Sequence, residues 1–303
     1  MELLEREAGL QELTTALRDA TAGEGRVVLV SGEAGIGKTA LIERFTRERR
    51  DSVRVLWGVC DSLFTPRPLG PLHDMAAQTK GNLLALLGSD ANLTTIFSTV
   101  LVELQSRPTI AVFEDAHWAD EATLDLLKYL SRRVTRTSAL IVLTYRDDEI
   151  SPNHPLRTVL GDMATSPAVR RIPLSSLSEK AVRALVSKRA IDATKLHRQT
   201  GGNPFFVTEV LSGAESNLPA TIRDAVLARV TRLSPSAQAV LQAAAVIGPR
   251  IESWVLAEIT GAEAKAAEEC LAIGVLVTEG EMLAFRHELA RQIVVESISP
   301  PRK

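Results

Sequence analysis

Residues 27–39 read Val-Val-Leu-Val-Ser-Gly-Glu-Ala-Gly-Ile-Gly-Lys-Thr, a short apolar run that passes without interruption into the spacing G-x-x-x-x-G-K-T. Few patterns restrict a fold so severely. The apolar run demands a buried strand, the glycines demand a backbone that turns back on itself, and a helical pattern follows. In such a turn successive N–H groups point into one concavity that suits an anion. Lys38 adds a point charge for β- and γ-phosphates, Thr39 offers a hydroxyl to Mg²⁺, and the helix beginning there aims the positive end of its dipole at the same place. A glycine-rich turn beside a solvated lysine is the plainer reading, but it leaves the strand–turn–helix order unexplained. The expected phosphate-binding loop comprises Gly32, Glu33, Ala34, Gly35, Ile36, Gly37, Lys38, Thr39 and Ala40. It implies a nucleoside triphosphate without saying what the nucleotide is for.

The rest of the composition narrows the setting. With 303 residues, 45% apolar and 24% charged, the chain can bury a full α/β core and has length left for smaller domains. The formal net charge is −2 and Lys and Arg cluster only in pairs such as Arg49-Arg50 and Arg132-Arg133, so the basic footprint of a nucleic-acid surface is missing. Any DNA contact is expected to come from a segment absent from this chain. Cys60 and Cys270 lie 210 positions apart, which suits a reducing compartment and offers no metal spacing. An acidic start and the lack of an apolar run near 18 residues predict neither signal peptide nor membrane span, with the cytoplasm as default location.

Along the chain, a helix over 7–22 precedes a strand near 26–31. Further strands are predicted at 53–59, 109–113, 140–144 and 169–174, with helical stretches between them. Short apolar strands separated by helices indicate a mainly parallel sheet covered on both faces. Residues 64–72, with Pro66, Pro68 and Pro71, read as a rigid loop. After about 175 the strands stop and helices are predicted at 178–189, 195–200, 205–211 and 219–232. Ser234-Pro235 opens another. The remainder reads as three helices, a small hairpin of 275–277 and 282–285 around Glu279-Gly280-Glu281, and a closing helix to Ser297, the recipe of a winged helix. Domains are therefore expected at 1–174 (P-loop α/β), 175–232 (all-α lid) and 233–303 (winged helix). The terminal Pro300-Pro301-Arg302-Lys303 reads as a domain exit from a longer chain.

Nucleotide chemistry needs a second acidic site, delivered from the end of a strand beside the P-loop. Ile110-Ala111-Val112-Phe113-Glu114-Asp115 supplies it. By position Glu114 holds the metal, partly through water, and Asp115 polarises the attacking water. Alone, the hexapeptide reads better as an acidic turn after a strand; Lys38 and Thr39 reverse that balance. A different alignment sets Asp115 at the metal and leaves Ala116 where a base should be, a version that binds ATP and hydrolyses it poorly. Asp120 is placed to cap the next helix. His117 either senses the phosphates or packs under the sheet edge. Arg146, at the end of the fourth strand, either reaches a γ-phosphate or pairs on the surface with Asp147 or Asp148. Gly201-Gly202-Asn203-Pro204-Phe205-Phe206 makes a helix–helix turn that also suits a lid closing over adenine.

The ordered set Gly32–Thr39, Glu114-Asp115-Ala-His-Trp-Ala-Asp120, Thr144-Tyr-Arg146, Gly202-Asn-Pro204 and Phe285-Arg-His287-Glu288-Leu289 resembles STAND-type signalling ATPases, and more narrowly the ATPase core of large ATP-binding regulators of the LuxR type. The resemblance spans nearly the whole chain. It implies Mg-ATP served by Lys38, Thr39 and the acidic pair, a sensor role for Arg146, adenine contacts from Arg6 and Pro204, and a β-phosphate contact from His287 in an ADP-bound closed form. Two departures stand out: Glu114 where aspartate is usual, and Glu5 where glycine is common. The implied function is a weak, Mg-dependent ATPase used as a switch, in which ATP and an unidentified inducer or sensor partner favour an open form that self-associates into a homo-oligomer. Arg132 and Arg133 are the candidates for an arginine supplied in trans. The rivals are an AAA-type remodeller or kinase with genuine turnover, and a scaffold that binds nucleotide without hydrolysing it.

Overall fold

The computed structural model describes residues 3–63, 65, 67–79, 81–187, 191–213, 219–261 and 264–299, and the chain divides into two compact units, Met1–Ser175 and Ser176–Lys303. Phe64 and Pro66 of the predicted loop, residues 188 and 189 of a predicted helix, and the terminal Pro-Pro-Arg-Lys lie outside the described residues.

Among the described residues, the first unit holds a five-stranded parallel sheet of β1 (Arg26–Ser31), β2 (Arg54–Val59), β3 (Thr109–Glu114), β4 (Ala139–Tyr145) and β5 (Val169–Pro173), in the order β2-β3-β4-β1-β5. Its helices are α1 (Glu7–Thr21), α2 (Lys38–Arg47), α3 (Gly70–Thr79), α4 (Asn82–Leu87), α5 (Leu93–Ser106), α6 (Glu121–Ser131) and α7 (Pro155–Met163). The strands alternate between two cores. Val27, Leu29, Ala111, Phe113, Ile141 and Leu143 face a cluster shared with α3 to α7. Val28, Val30, Ile110, Val112, Leu140 and Val142 face a second cluster shared with α1 and α2. Burial on both faces is why these strands read as unbroken apolar runs rather than alternating ones.

In the sheet β4 lies between β1 and β3, so the fourth strand stands beside the third as expected. One sequence expectation needs correction. The 64–72 loop ends inside α3, with Pro71 in its first turn, where a missing N–H costs no helix bond.

In the second unit, α8 (Glu179–Val186), α9 (Ala193–Thr200), α10 (Pro204–Ser212), α11 (Ala220–Val230) and α12 (Pro235–Ile247) are followed by β6 (Arg250–Glu252), α13 (Ser253–Thr260), α14 (Ala264–Ala272), the hairpin β7 (Leu276–Glu279) and β8 (Met282–Phe285), and α15 (Glu288–Ser297). Ser178 and Ser234 accept from Ala181 N and Ala237 N as side-chain caps. The antiparallel sheet runs β6-β8-β7, and Gly280 at φ 64° makes its two-residue turn. Strand β6 was not expected, since of its three residues only Ile251 is buried. One apolar cluster extends from Phe206 to Val294, on both sides of residue 232.

Candidate nucleotide and metal site

The loop after β1 is shaped by glycines for two separate reasons. Gly32 has φ 145° and a Cβ there would sit 2.9 Å from the Leu174 carbonyl oxygen, while Gly37 has φ 97° at the N-cap of α2. Lys38 opens α2, is 7% exposed, and folds its Nζ back onto the loop, donating to Gly32 O at 2.7 Å and Glu33 O at 3.0 Å. Burial lowers its pKa, against the pull of Asp115. Thr39 and Ala40 are exposed. Arg6, expected from resemblance to touch adenine, packs against the loop. Its buried guanidinium donates to Ile36 O inside the loop and to Ser175 O, both at 2.9 Å, and to Glu5 O at 2.8 Å. Desolvation lowers its pKa, opposed by Glu5 and Glu7. Arg6 therefore braces the loop.

The acidic pair comes up from the end of β3. Thr39 Oγ1 donates to Glu114 Oε1, joining residues 75 positions apart, and Trp57 Nε1 donates to Glu114 Oε2 at 2.8 Å. Asp115 then leaves the strand in a left-handed conformation, φ 51° and ψ 46°, which aspartate tolerates better than most residues. Its N–H donates to Thr144 Oγ1 on β4 at 2.9 Å. Burial raises the Asp115 pKa, with Arg146 and Lys38 opposing. The result is a carboxylate of greater basicity beside two cations.

Arg146 is held from three sides. It lies 3.9 Å from Asp115 Oδ2, bonds Glu149, and stacks 4.7 Å from the centre of the Trp118 ring. The partner is Glu149 rather than the adjacent Asp147 or Asp148. His117 is buried against Trp118, with ring centres 4.6 Å apart. Its Nδ1 lies 4.0 Å from Asp115 and its Nε2 3.6 Å from Glu149, and neither nitrogen has a hydrogen-bond partner among the described residues. Burial pushes its pKa to about 3, so the ring is neutral. Arg133 lies over the Tyr129 ring at 3.9 Å. Sequence reasoning missed Trp57 and Glu149 and gave Thr144 no role of its own; an indole on an edge strand and a Glu three residues after Arg146 were the signals for the first two.

The donor set suits the groups that the motif implies. Thr39 hydroxyl and Glu114 carboxylate are hard oxygen donors appropriate to Mg²⁺, and among the described residues no cluster of three or more His, Cys, Asp or Glu competes for a metal. A site with two protein oxygens leaves the remaining positions to water and phosphate, as Mg²⁺ prefers. The loop, Lys38 and the start of α2 could hold a phosphate through their N–H groups and positive charge.

The second unit carries the remaining expected residues. Gly201 ends α9 at φ 59°, and a Cβ at Gly202 would lie 2.2 Å from Leu177 O. Asn203 caps α10 by accepting from Phe205 N at 3.0 Å, with Pro204 in the first turn. His287 is the N-cap residue of α15, buried edge-on against Phe206 at 4.9 Å. Gly201 packs so tightly on it that a Cβ would come within 2.7 Å of Nδ1.

The first unit, so built, has counterparts among known proteins. Residues 2–143 match the AAA ATPase domain family. This part of the chain is similar to P-loop ATPase cores. The Walker-type ATPase of Pyrococcus abyssi overlays 96% of the chain and 96% of its own length at a TM-score of 0.63 with 16% identity. CDC6P of Pyrobaculum aerophilum overlays 97% and 94% at a TM-score of 0.51 with 14% identity. At these identities the likeness is one of fold. A STAND protein with a tetratricopeptide-repeat sensor from Pyrococcus horikoshii overlays 95% of the chain and 42% of its own length loosely, at a TM-score of 0.44 with 19% identity. In sequence, the chain is 25% identical to an uncharacterised protein of Rhizobium meliloti, over 98% of this chain but 35% of that protein's length. No helix among the described residues is long and apolar enough to cross a membrane.

Proposed function

We propose that the chain is an adenine-nucleotide switch: an ATPase core that binds Mg-ATP and Mg-ADP, hydrolyses ATP slowly, and passes from a closed ADP form to an open, self-associating ATP form. The observation that carries the reading is the pairing of Thr39 with Glu114, which joins the P-loop to the acidic strand end. Mg²⁺, when bound, would neutralise phosphate charge. Lys38 would bind the phosphates, Thr39 and Glu114 would hold the metal, and the Asp115 carboxylate would accept the proton of the attacking water. Arg146 serves the γ-phosphate, and it must first leave Glu149 and Asp115, which favours slow turnover. An arginine in trans contributes about 10³ to 10⁵ in related phosphoryl transfers.

Residues 175–232 as lid, 233–303 as winged helix and Pro204 as an adenine contact belong to the proposal through sequence pattern and resemblance, and His287 as a nucleotide contact and a place in a LuxR-type transcriptional regulator through resemblance alone. Inverting a 1:99 closed-to-open ratio requires ligands to favour the open form by roughly 5.5 kcal/mol. The test is to denature the purified chain, identify the nucleotide released, and measure turnover and molecular mass with ADP and with ATP. Retained ADP, turnover well below one per second and ATP-dependent growth in mass are expected. The match to the AAA ATPase domain supports a second reading, an AAA-type remodeller with genuine turnover. An empty site with rapid, oligomer-dependent hydrolysis would establish that reading instead.

A further inference from the structure

A glutamate at the end of a strand has three rotatable side-chain bonds, and it assists a metal only when its oxygens are held in place. Glu114 Oε1 accepts from Thr39, and Oε2 accepts from the Trp57 indole N–H at 2.8 Å. The register explains the reach. Trp57 on β2 pairs with Val112 on β3, and Glu114 stands two residues further along the same face.

Trp57 is itself anchored. Strand β2 forms the edge of the sheet, and α3 closes that edge: the Gln78 side-chain amide accepts from Trp57 N at 3.0 Å and donates to Trp57 O, while Asp74 accepts from Val59 N at 3.1 Å. Gly58, between these residues, lets α3 approach, because a Cβ there would lie 2.2 Å from Pro71 O. An indole N–H donates and never accepts, so it can orient a carboxylate without ligating a cation.

We propose that Trp57 is the positioning residue for Glu114, holding Oε2 so that Oε1 faces Thr39, and thereby sets the Mg²⁺ requirement for nucleotide retention. The proposal rests on the reading that Thr39 and Glu114 serve Mg-nucleotide. An aspartate at 114 would withdraw the carboxylate by about 1.5 Å, one carbon–carbon bond, beyond reach of the indole. The two side chains therefore form a pair whose coupling is measurable.

The experiment titrates Mg²⁺ against retention of a fluorescent ADP by the full chain, in wild type, Trp57→Phe, Glu114→Asp and the double variant. Trp57→Phe should raise the half-saturating Mg²⁺ concentration about tenfold, the worth of one hydrogen bond to a charged group, and leave retention in EDTA unchanged. In the Glu114→Asp background the same change should shift it less than about twofold. Trp57→His, which keeps a ring donor, should recover part of the loss and serves if the Phe variant does not fold. An unchanged Mg²⁺ requirement in both Trp57 variants, or an equal tenfold shift in the Asp background, overturns the proposal. A wild-type chain that retains no nucleotide at any Mg²⁺ concentration overturns the reading beneath it instead.

Discussion

Replacing His117 by leucine tests the electrostatics of the site directly. The His117 side chain is 1% exposed, and its ring nitrogens have no hydrogen-bond partner among the described residues. Burial pushes the pKa from 6.5 to about 3; Glu149 pulls it upward, and Arg146, Lys38 and His154 push it further down. The unfolded chain binds a proton on this ring near pH 6.5, whereas the folded chain refuses it until far lower. Stability from this group is therefore complete above pH 6.5 and drains away as pH falls toward 3. By pH 4.5, two units below the unfolded value, the loss is about 3 kcal/mol at 1.36 kcal/mol per unit. Leucine keeps apolar bulk, binds no proton and removes two unsatisfied nitrogens, each of which costs about 1–3 kcal/mol when buried. It also loses the contact with Trp118, worth about 1 kcal/mol. At pH 7.5 the variant should match or exceed the wild type. Urea unfolding of both proteins at pH 7.5 and pH 4.5, followed by tryptophan fluorescence, measures the difference. The wild type should lose about 3 kcal/mol more than the variant over this range. Parallel losses would refute the idea that the ring is buried neutral.

Arg6→Ala removes a buried cation from the carbonyls of Ile36 and Ser175 and should lower stability without nucleotide by about 2–4 kcal/mol, read by urea unfolding; weaker nucleotide retention with unchanged stability would instead assign Arg6 to adenine. Gly58→Ala should cost about 1–3 kcal/mol through collision with the Pro71 carbonyl, and an unchanged urea midpoint would count against the close approach of α3. Asp115→Asn preserves the left-handed backbone and should leave nucleotide retention intact while slowing phosphate release by about 10² to 10⁴. Unchanged release would remove Asp115 from the role of base.

The P-loop was readable because every demand it makes is local. Glycine spacing sets the turn, the apolar run before it sets the strand, and Lys38 and Thr39 follow at fixed offsets. Helix starts at Ser178 and Ser234 were readable for the same reason, since a cap and the N–H that donates to it lie three residues apart. Strand β6 escaped notice because three residues with one buried side chain carry no periodic signal. Arg146 was identified, but its neighbours suggested the wrong partner: adjacency in sequence favoured Asp147 or Asp148, whereas the turn after β4 brings Glu149 onto the guanidinium.

Residue order alone was enough to establish a parallel α/β core, a phosphate loop and an acidic strand end, because strand burial, turn chemistry and capping act over a few residues. The arrangement of these parts is another matter. Placing β4 between β1 and β3, committing Arg6 to the loop carbonyl of Ile36, and setting the Trp57 indole against Glu114 all depend on which distant segments pair and in what register. Those choices are made by packing two apolar faces and satisfying buried polar groups over the whole unit at once, and no short stretch of sequence carries that information.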